Sequence, residues 1–181
     1  LKYNNPKDIL KLWDNNFVNR NKETPKTVIN KILERSIHLH HPKNMGHQVA
    51  VSLPMAALSD LVSSLLNPTI AAFDGSESQF VIEKYISDWM CRKIGYTSKY
   101  GGFFVSGGSL GNLSALLAAR EIKSDSMVWE NGVKDHLNMA VMVSDNAHYC
   151  VSRSLQIMGL GKDSIISIPT TDNFHVTYDA M

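Results

Sequence analysis

The sequence predicts an α/β fold with a largely parallel sheet. Short apolar segments of strand length alternate with longer segments whose apolar residues recur at helical spacing, an order typical of parallel α/β proteins. The clearest strands are Met139 to Val143 and Ile165 to Ile168, with a helix from Tyr149 to Leu160 between them. Because the first of these strands is apolar throughout, we expect both of its faces to be covered. A further buried strand is expected at Phe103 to Val105, before a glycine-rich turn and a long amphipathic helix.

Helices are also expected on the N-terminal side of the glycine-rich turn. The first is predicted from Pro6 to Arg20, and the second follows Thr24-Pro25, which has the form of an N-cap with proline at the first helical position. Ser52 to Leu66 is apolar on most sides, which predicts a buried helix. A fourth helix is expected to begin at Ser76, which with Gln79 has the spacing of a capping box.

The composition is that of a folded globular protein. Of the 181 residues, 44% are hydrophobic and 19% are charged, and the formal net charge is +1. This balance gives no electrostatic case for a nucleic-acid or membrane partner, and no run reaches the roughly 18 apolar residues of a membrane span. The two cysteines, Cys91 and Cys150, are far apart. They form no CxxC pair, which fits a reducing cytoplasm better than a disulfide scaffold.

The turn from Ser106 to Asn112, with the sequence SGGSLGN, is the strongest candidate for a binding site. It places flexible backbone and the Ser109 hydroxyl at a helix N-terminus, where unpaired N–H groups and the positive end of the helix dipole favour an anion such as phosphate. Two other interpretations stay open. One is a ligand-free connection capped by Ser109, and the other is a hydrolase nucleophile elbow, because Gly107 to Gly111 satisfies G-x-S-x-G.

A second polar segment, Ser144 to Tyr149, follows a predicted strand directly. In parallel α/β sheets, ligand-binding groups gather beyond the carboxyl ends of strands. Since the glycine-rich turn occupies an equivalent place, we expect a shared site that includes His148. In a hydrolase, Asp145 and His148 would complete a triad with Ser109, but they are closer in sequence than the separate loops of that fold would place them. A histidine that bonds only to its own loop is the remaining alternative.

A third polar cluster lies between the second and third predicted helices. Its HxHH spacing lacks the pattern of known zinc sites, and no cysteine or carboxylate accompanies it, so no metal is expected. A polar loop at the mouth of an active site is the preferred interpretation. The cluster comprises His38, His40, His41 and His47, with Asn44 and Gln48 nearby.

Together, these segments resemble the pyridoxal-phosphate-dependent group II amino-acid decarboxylases, which include the glutamate, aromatic amino-acid, cysteine-sulfinate and 2,4-diaminobutyrate decarboxylases. Their order and spacing match over roughly residues 38 to 162. The matching pieces are His41-Pro42 with Gly46-His47-Gln48, the helix start at Leu53-Pro54, Ser106-Gly107-Gly108-Ser109 with Asn112, and Ser144 through His148.

The resemblance implies the aspartate-aminotransferase-like fold (fold type I), pyridoxal 5'-phosphate as cofactor, and a cytoplasmic homodimer. Residues 1–50 would form an N-terminal helical arm with a substrate-side loop, and residues 51–181 the first part of the cofactor-binding large domain. The implied reaction releases CO2 from an L-amino acid through an external aldimine, with the cofactor accepting the electrons. A non-catalytic relative and a serine hydrolase are the alternatives.

The resemblance also assigns roles to individual residues. Gly108 and Ser109 would hold the cofactor phosphate, and Asn112 would support the turn. His148 matches the family histidine that stacks on the pyridine ring, where an imidazole can also assist proton transfer. The substrate pocket would be lined by His47 and Gln48.

Two elements of the family pattern are expected beyond Met181: the lysine that forms the Schiff base and the aspartate that pairs with the pyridinium nitrogen. Lys123, Lys134 and Lys162 lie in no matching context. The chain begins at Leu1 rather than methionine and ends soon after a predicted strand. We therefore expect the N-terminal part of a longer enzyme, inactive by itself.

Overall fold

The computed structural model describes residues 5–18, 23–46, 49–124, 127–133 and 139–180. They fall into two compact units, Leu1–Thr69 and Ile70–Met181. The domain boundary predicted after residue 50 stays a prediction. Within the described residues, no helix combines the length and the apolar character that a membrane span requires.

The first unit contains α1 (Pro6–Val18), α2 (Pro25–Arg35) and α3 (Pro54–Leu66). The second helix begins as predicted. Thr24 is extended, and its hydroxyl accepts a hydrogen bond from the Thr27 N–H at 3.3 Å, with proline at the first helical position. Residues 19 and 20, the last two of the first predicted helix, lie outside the described residues.

The prediction that the third helix is buried was wrong. None of the α3 residues is buried, and Leu58, Leu61 and Leu65 are 56%, 56% and 77% exposed. The apolar pattern predicts a helix with an apolar surface. It does not predict which residues would pack against that surface. The helix ends where Asn67 adopts the left-handed conformation (φ 46°), and its N–H bonds to the Ser63 carbonyl at 2.8 Å.

The second unit is built on a parallel pair of strands joined by a helix. Val141 of β1 pairs with Ile165 of β2, and the register continues to Ser144 with Ile168. The strands and helices of this unit are α4 (Glu77–Lys93), α5 (Gly108–Lys123), α6 (Val128–Asn131), β1 (Val141–Ser144), α7 (Cys150–Ile157) and β2 (Ile165–Ile168). Short 3₁₀ turns lie at Phe73–Gly75 and Tyr178–Ala180.

The core of this unit lies around α7, which packs against α5. Leu155 is fully buried, and Cys150, Met158 and Ile168 are nearly so. The expected covering of β1 on both faces was wrong, because Met142 is 56% exposed. Successive side chains of a strand point to opposite faces, so β1 is exposed on the face that carries this residue.

The segment Phe103 to Val105 does not form the predicted buried strand. Phe103 and Phe104 are 67% and 53% exposed, and the segment has no strand assignment. The Phe104 N–H donates instead to the Glu83 carboxylate at 2.9 Å. A side chain of α4 therefore takes the donor that a strand ladder would use.

Three helices of this unit also differ from the prediction in some detail. α4 begins directly after Ser76, as predicted, but the Ser76 side chain makes no capping hydrogen bond, so the capping box was wrong. The short helix α6 was not predicted from the sequence, although its residue Val128 is only 2% exposed. The helix predicted from Tyr149 to Leu160 is shorter in the structure, because α7 ends at Ile157 and Gly159 follows it with φ 81°.

Candidate functional site

The start of α5 and the start of α7 lie side by side. Asn112, near the beginning of α5, donates from Nδ2 to Sγ of Cys150, the first residue of α7, at 2.9 Å. Residues 108–112 of the glycine-rich turn are the first five residues of α5, and His148 lies two residues before the start of α7. The structure therefore brings together the two polar segments that the sequence placed at equivalent positions.

The glycine-rich turn leaves backbone donors available at the start of α5. The Gly107 carbonyl accepts from the N–H groups of Leu110 and Gly111, both at 3.1 Å. The N–H groups of Gly108 and Ser109 come before these and have no intrahelical acceptor, as at every helix start. A Cβ added at Gly107 or Gly108 would meet no atom within 4 Å. The turn thus offers two donors beside open space.

Ser109 is exposed, and no side chain caps α5. This observation disagrees with the interpretation in which Ser109 serves only as a helix cap. The hydroxyl, the two N–H groups and the positive end of the helix dipole form an arrangement suited to a phosphate or another anion.

His148 is an exposed residue whose ring is fixed from two sides. Its Nδ1 accepts a hydrogen bond from the Cys150 N–H at 3.2 Å, which leaves the proton of a neutral imidazole on Nε2. Its ring centroid lies 4.2 Å from that of Tyr149, at a tilt of 38°. The guanidinium carbon of Arg153 lies 4.8 Å from the centre of the Tyr149 ring. These contacts fix the orientation of the His148 ring, and therefore the direction in which it can face a ligand.

The glycine-rich turn and the histidine line different cavities. Gly107 and Gly108 border a cavity of about 400 Å³, whose other walls include Ser87, Cys91 and Phe104. His148 borders a cavity of about 220 Å³ after β1. Among the described residues, the two cavities share no lining residue. The shared site for Ser109 and His148 therefore stays a prediction.

Among the described residues, neither His148 nor Asp145 of the candidate triad is hydrogen-bonded to Ser109. His148 Nδ1 is bonded to the Cys150 N–H. The Asp145 carboxylate accepts from the Thr170 hydroxyl at 2.9 Å and faces the Thr170 N–H at 3.4 Å. A hydrolase would need the histidine to take the serine proton and the aspartate to hold the histidine.

The predicted substrate residues His47 and Gln48 lie outside the described residues. The loop before them is ordered by Asn44, whose Nδ2 donates to the Leu39 carbonyl at 2.9 Å and to the Gly46 carbonyl at 3.0 Å. The described walls of a cavity of about 360 Å³ in this loop are His38, His41, Lys43 and Asn44. Over the described ranges, no group of histidine, cysteine and carboxylate side chains has the arrangement of a metal site.

Two residues that contact the segment around His148 were not identified as site residues from the sequence. Cys150 joins α5 to the His148 loop through its side chain and its N–H. Thr170 holds the Asp145 carboxylate across the ends of the two strands. Asp145 comes one residue after β1 and Thr170 two residues after β2, so a correct strand register would have predicted that they lie near each other.

Comparison with known proteins decides the family. Residues 6–181 match the family model described as the pyridoxal-dependent decarboxylase conserved domain. The chain belongs to this family. Membership confirms the resemblance to the pyridoxal-phosphate-dependent amino-acid decarboxylases, and the family's description confirms the expected cofactor class.

Members of the pyridoxal-dependent decarboxylase family with curated names are similar to most of this chain. An L-2,4-diaminobutyrate decarboxylase of Acinetobacter baumannii is 28% identical over 85% of the chain and 32% of its own length. A glutamate decarboxylase-like protein of Gibberella zeae is 34% identical over 86% of the chain and 30% of its own length. The chain therefore spans about a third of the length of these relatives.

A solved structure confirms the fold class. The glutamate decarboxylase domain of a diaminobutyrate-pyruvate transaminase and L-2,4-diaminobutyrate decarboxylase from Vibrio parahaemolyticus matches 96% of this chain and 40% of its own, with a TM-score of 0.82 and 23% identity. The two-stranded parallel sheet and its helices are thus part of the fold type I architecture expected from the sequence.

The residues at the start of α5 fit the phosphate of the family cofactor. Open space above Gly107 and Gly108, two N–H groups and the exposed Ser109 hydroxyl are what a doubly charged phosphate needs. Asn112 donates to Sγ of Cys150 at 2.9 Å. Its supporting role at the turn stays a prediction.

Proposed function

We propose that this chain supplies the phosphate-binding turn and the ring-facing histidine of a pyridoxal-phosphate-dependent amino-acid decarboxylase, a lyase that releases CO2 from an L-amino acid. The observation that carries the proposal is the start of α5, where the N–H groups of Gly108 and Ser109 have no intrahelical acceptor and a Cβ built on Gly108 would find open space. The chain's family and the names of its relatives support the reaction class.

The first task of these residues is to bind the phosphate. The N–H groups of Gly108 and Ser109 and the Ser109 hydroxyl would donate to its oxygens, and the dipole of α5 favours its charge. A hydrogen bond to a charged group contributes about 1.5–3 kcal/mol. The cofactor, when bound, supplies the electron sink for breaking the bond between Cα and the carboxylate.

The second task is to orient the ring and handle a proton. With Nδ1 accepting from the Cys150 N–H, His148 keeps the proton on Nε2. An imidazole stacked on the pyridine ring would contribute about 0.5–1.5 kcal/mol beyond the area it buries. Held in that place, Nε2 could also exchange a proton with the substrate side of the site.

The proposal extends to the substrate side and to the complete protein. His47 and Gln48 are proposed to contact the substrate side chain, in the loop that Asn44 orders. The described walls of the cavities beside Gly108 and His148 include no lysine. We therefore propose that a lysine from outside the chain bonds to the cofactor, and that residues 1–181 are inactive by themselves.

We propose a cytoplasmic homodimer as the working form. The two cysteines, Cys91 and Cys150, are free and buried, which suits a reducing compartment. Dimer formation would be measured by light scattering on the complete protein. A monomer that decarboxylates amino acids at the same rate at all concentrations would contradict this part of the proposal.

Ser109→Ala in the complete protein tests the proposed function. Loss of one charge-assisted hydrogen bond should raise the Kd for pyridoxal phosphate about 10- to 100-fold. Excess cofactor should then restore most CO2 release. Visible absorbance would report binding, and CO2 capture would report the reaction.

Ser114→Ala is the matched control, because Ser114 lies on the same helix and its hydroxyl donates to the Leu110 carbonyl at 2.8 Å. It should leave the Kd for the cofactor within about twofold of the wild-type value. The opposite outcome would be a colourless wild-type protein that cleaves esters and loses this activity in Ser109→Ala. That result would establish the serine hydrolase instead.

A further inference from the structure

A polar cluster ties the loop that carries His148 to the segment after β2. Asp145 and Asn146 follow β1, and Thr170 follows β2. The Thr170 hydroxyl donates to Asp145 Oδ1 at 2.9 Å, and the Thr170 N–H faces Oδ2 at 3.4 Å. Asn146 Nδ2 lies 3.1 Å from Asp145 Oδ1 and 2.5 Å from Thr170 Oγ1. We refer to these three residues as the strand-end clasp.

The clasp begins where the strand ladder stops. Ser144 and Ile168 are the last paired residues of β1 and β2, and the Asp145 N–H continues the pattern by donating to the Ile168 carbonyl at 3.0 Å. Beyond this bond, the side chain of Asp145 replaces the backbone ladder. The segments that follow β1 and β2 are thus held together beyond the end of the sheet.

The partner side of the clasp is itself fixed. Thr170 forms an isolated antiparallel bridge with Val176. The Thr171 N–H donates to the His175 carbonyl at 2.9 Å, and the Phe174 N–H donates to the Thr171 carbonyl at 2.8 Å. Thr170 therefore lies at the base of a closed turn, which makes it a firm anchor for the Asp145 carboxylate.

The clasp controls a short connection to His148. Only Asn146 and Ala147 separate Asp145 from the histidine, and the Ala147 N–H donates to the Ser144 carbonyl at 2.9 Å. On the far side, the Cys150 N–H holds His148 Nδ1 at 3.2 Å. The imidazole therefore lies between the clasp and the first turn of α7. We expect a change in the clasp to alter the position of the ring.

We propose that Asp145 and Thr170 are positioning residues, which hold the loop that sets the location of the His148 ring over the cofactor. The inference rests on the proposed function for its effect on the reaction. Its structural part, that the clasp restrains residues 145–149, does not depend on any cofactor. Asp145 is exposed, so its contacts are not a consequence of burial. Its carboxylate lies close to donors from two segments, Asn146 after β1 and Thr170 after β2.

The test compares Thr170→Val with Thr170→Ser in the complete protein. Valine keeps the size of threonine but removes the hydroxyl donor, whereas serine keeps the donor. In Thr170→Val, hydrogen exchange of the amides of residues 145–149 without cofactor should accelerate about tenfold, or about 1.4 kcal/mol, because the hydroxyl's hydrogen bonds with Asp145 and with Asn146 are both lost. In Thr170→Ser the same amides should exchange within about twofold of wild type.

Two measurements on the cofactor-loaded protein complete the test. In Thr170→Val, the visible circular dichroism of bound pyridoxal phosphate should weaken and kcat should fall about tenfold, because a ring that is not held contributes less to catalysis. The Kd for the cofactor should rise by no more than about tenfold, because only the stacking of His148 on the ring is weakened and the phosphate site at Ser109 is untouched.

Equal exchange rates in the valine and serine variants would overturn the inference. So would a valine variant that loses thermal stability but keeps the dichroism and kcat of the wild type, because the clasp would then be structural only. A wild-type protein that binds no pyridoxal phosphate would contradict the proposed function instead. The exchange experiment would still decide whether the clasp restrains the loop.

Discussion

At Gly108, a methyl group added to the backbone would meet no protein atom within 4 Å, and the same holds at Gly107. Gly107 is extended (φ 173°) and Gly108 is the first residue of α5, so neither lies in the left-handed region that would explain the choice of glycine. A ligand that approaches the backbone closely does explain it, because any side chain would occupy the space the ligand needs. Gly101 has equally open space outside the turn, so the residue type supports the phosphate site only together with its place at the start of α5.

Gly108→Ala should lower cofactor affinity without weakening the fold. The new methyl group would project into the space assigned to the phosphate, so the Kd for pyridoxal phosphate should rise about tenfold or more. A fluorescence titration of the complete protein measures this constant, and thermal unfolding measures the stability.

Gly101→Ala is the matched control for this prediction. A Cβ at Gly101 also meets nothing within 4 Å, and Gly101 also lacks a positive φ, but it lies outside the turn. The control should leave both the affinity and the unfolding temperature unchanged. Equal affinity in the Gly108 variant and the wild type would contradict the assignment of this turn to the phosphate.

At the scale of elements, α7 joins the sheet to the site. One of its faces is buried through Leu155, which is 0% exposed, while Ile157 on the opposite face is 65% exposed. Its first residue, Cys150, receives the Asn112 side chain and bonds to His148. Packing of α7 therefore determines where the two site segments lie relative to each other.

Leu155→Ala should destabilise the complete protein by about 2–5 kcal/mol, because it empties a fully buried position. Ile157→Ala in the same helix should change the free energy of unfolding by about 0.5 kcal/mol or less. Unfolding in urea, followed by circular dichroism, would measure both values. Similar effects of the two substitutions would show that α7 does not face the core as described.

Local pattern predicted the elements better than it predicted their surroundings. The helix after Thr24 and the strand Ile165–Ile168 follow from caps and β-branched residues, which act over a few positions. The burial of α3 and the strand at Phe103 to Val105 were wrong, because burial and ladder pairing depend on distant residues such as Glu83.

The same distinction applies to the site. Ser109 and His148 were proposed as site residues because each belongs to a recognisable motif in the sequence. Cys150 and Thr170 were missed because their contacts arise from helix packing and strand register, which no short motif records. Positions fixed by long-range geometry need coordinates, whereas positions fixed by local chemistry do not.

At the scale of the whole molecule, the chain corresponds to about a third of the relatives it matches. In the proposed complete enzyme, this third provides the phosphate turn, the ring-facing histidine and one wall of the substrate pocket. Other residues of that enzyme would cover exposed apolar side chains such as Leu65, at 77%, and Phe103, at 67%. In that proposal, the chemistry would depend on groups from several parts of the protein.

A crystal structure of the complete protein with pyridoxal phosphate tests the central claim most directly. We expect phosphate oxygens about 2.7–2.9 Å from the N–H groups of Gly108 and Ser109, the distance of charge-assisted hydrogen bonds. We also expect the His148 ring to face the pyridine ring. A cofactor whose phosphate lies at another helix start, with His148 turned away from its ring, would contradict the account.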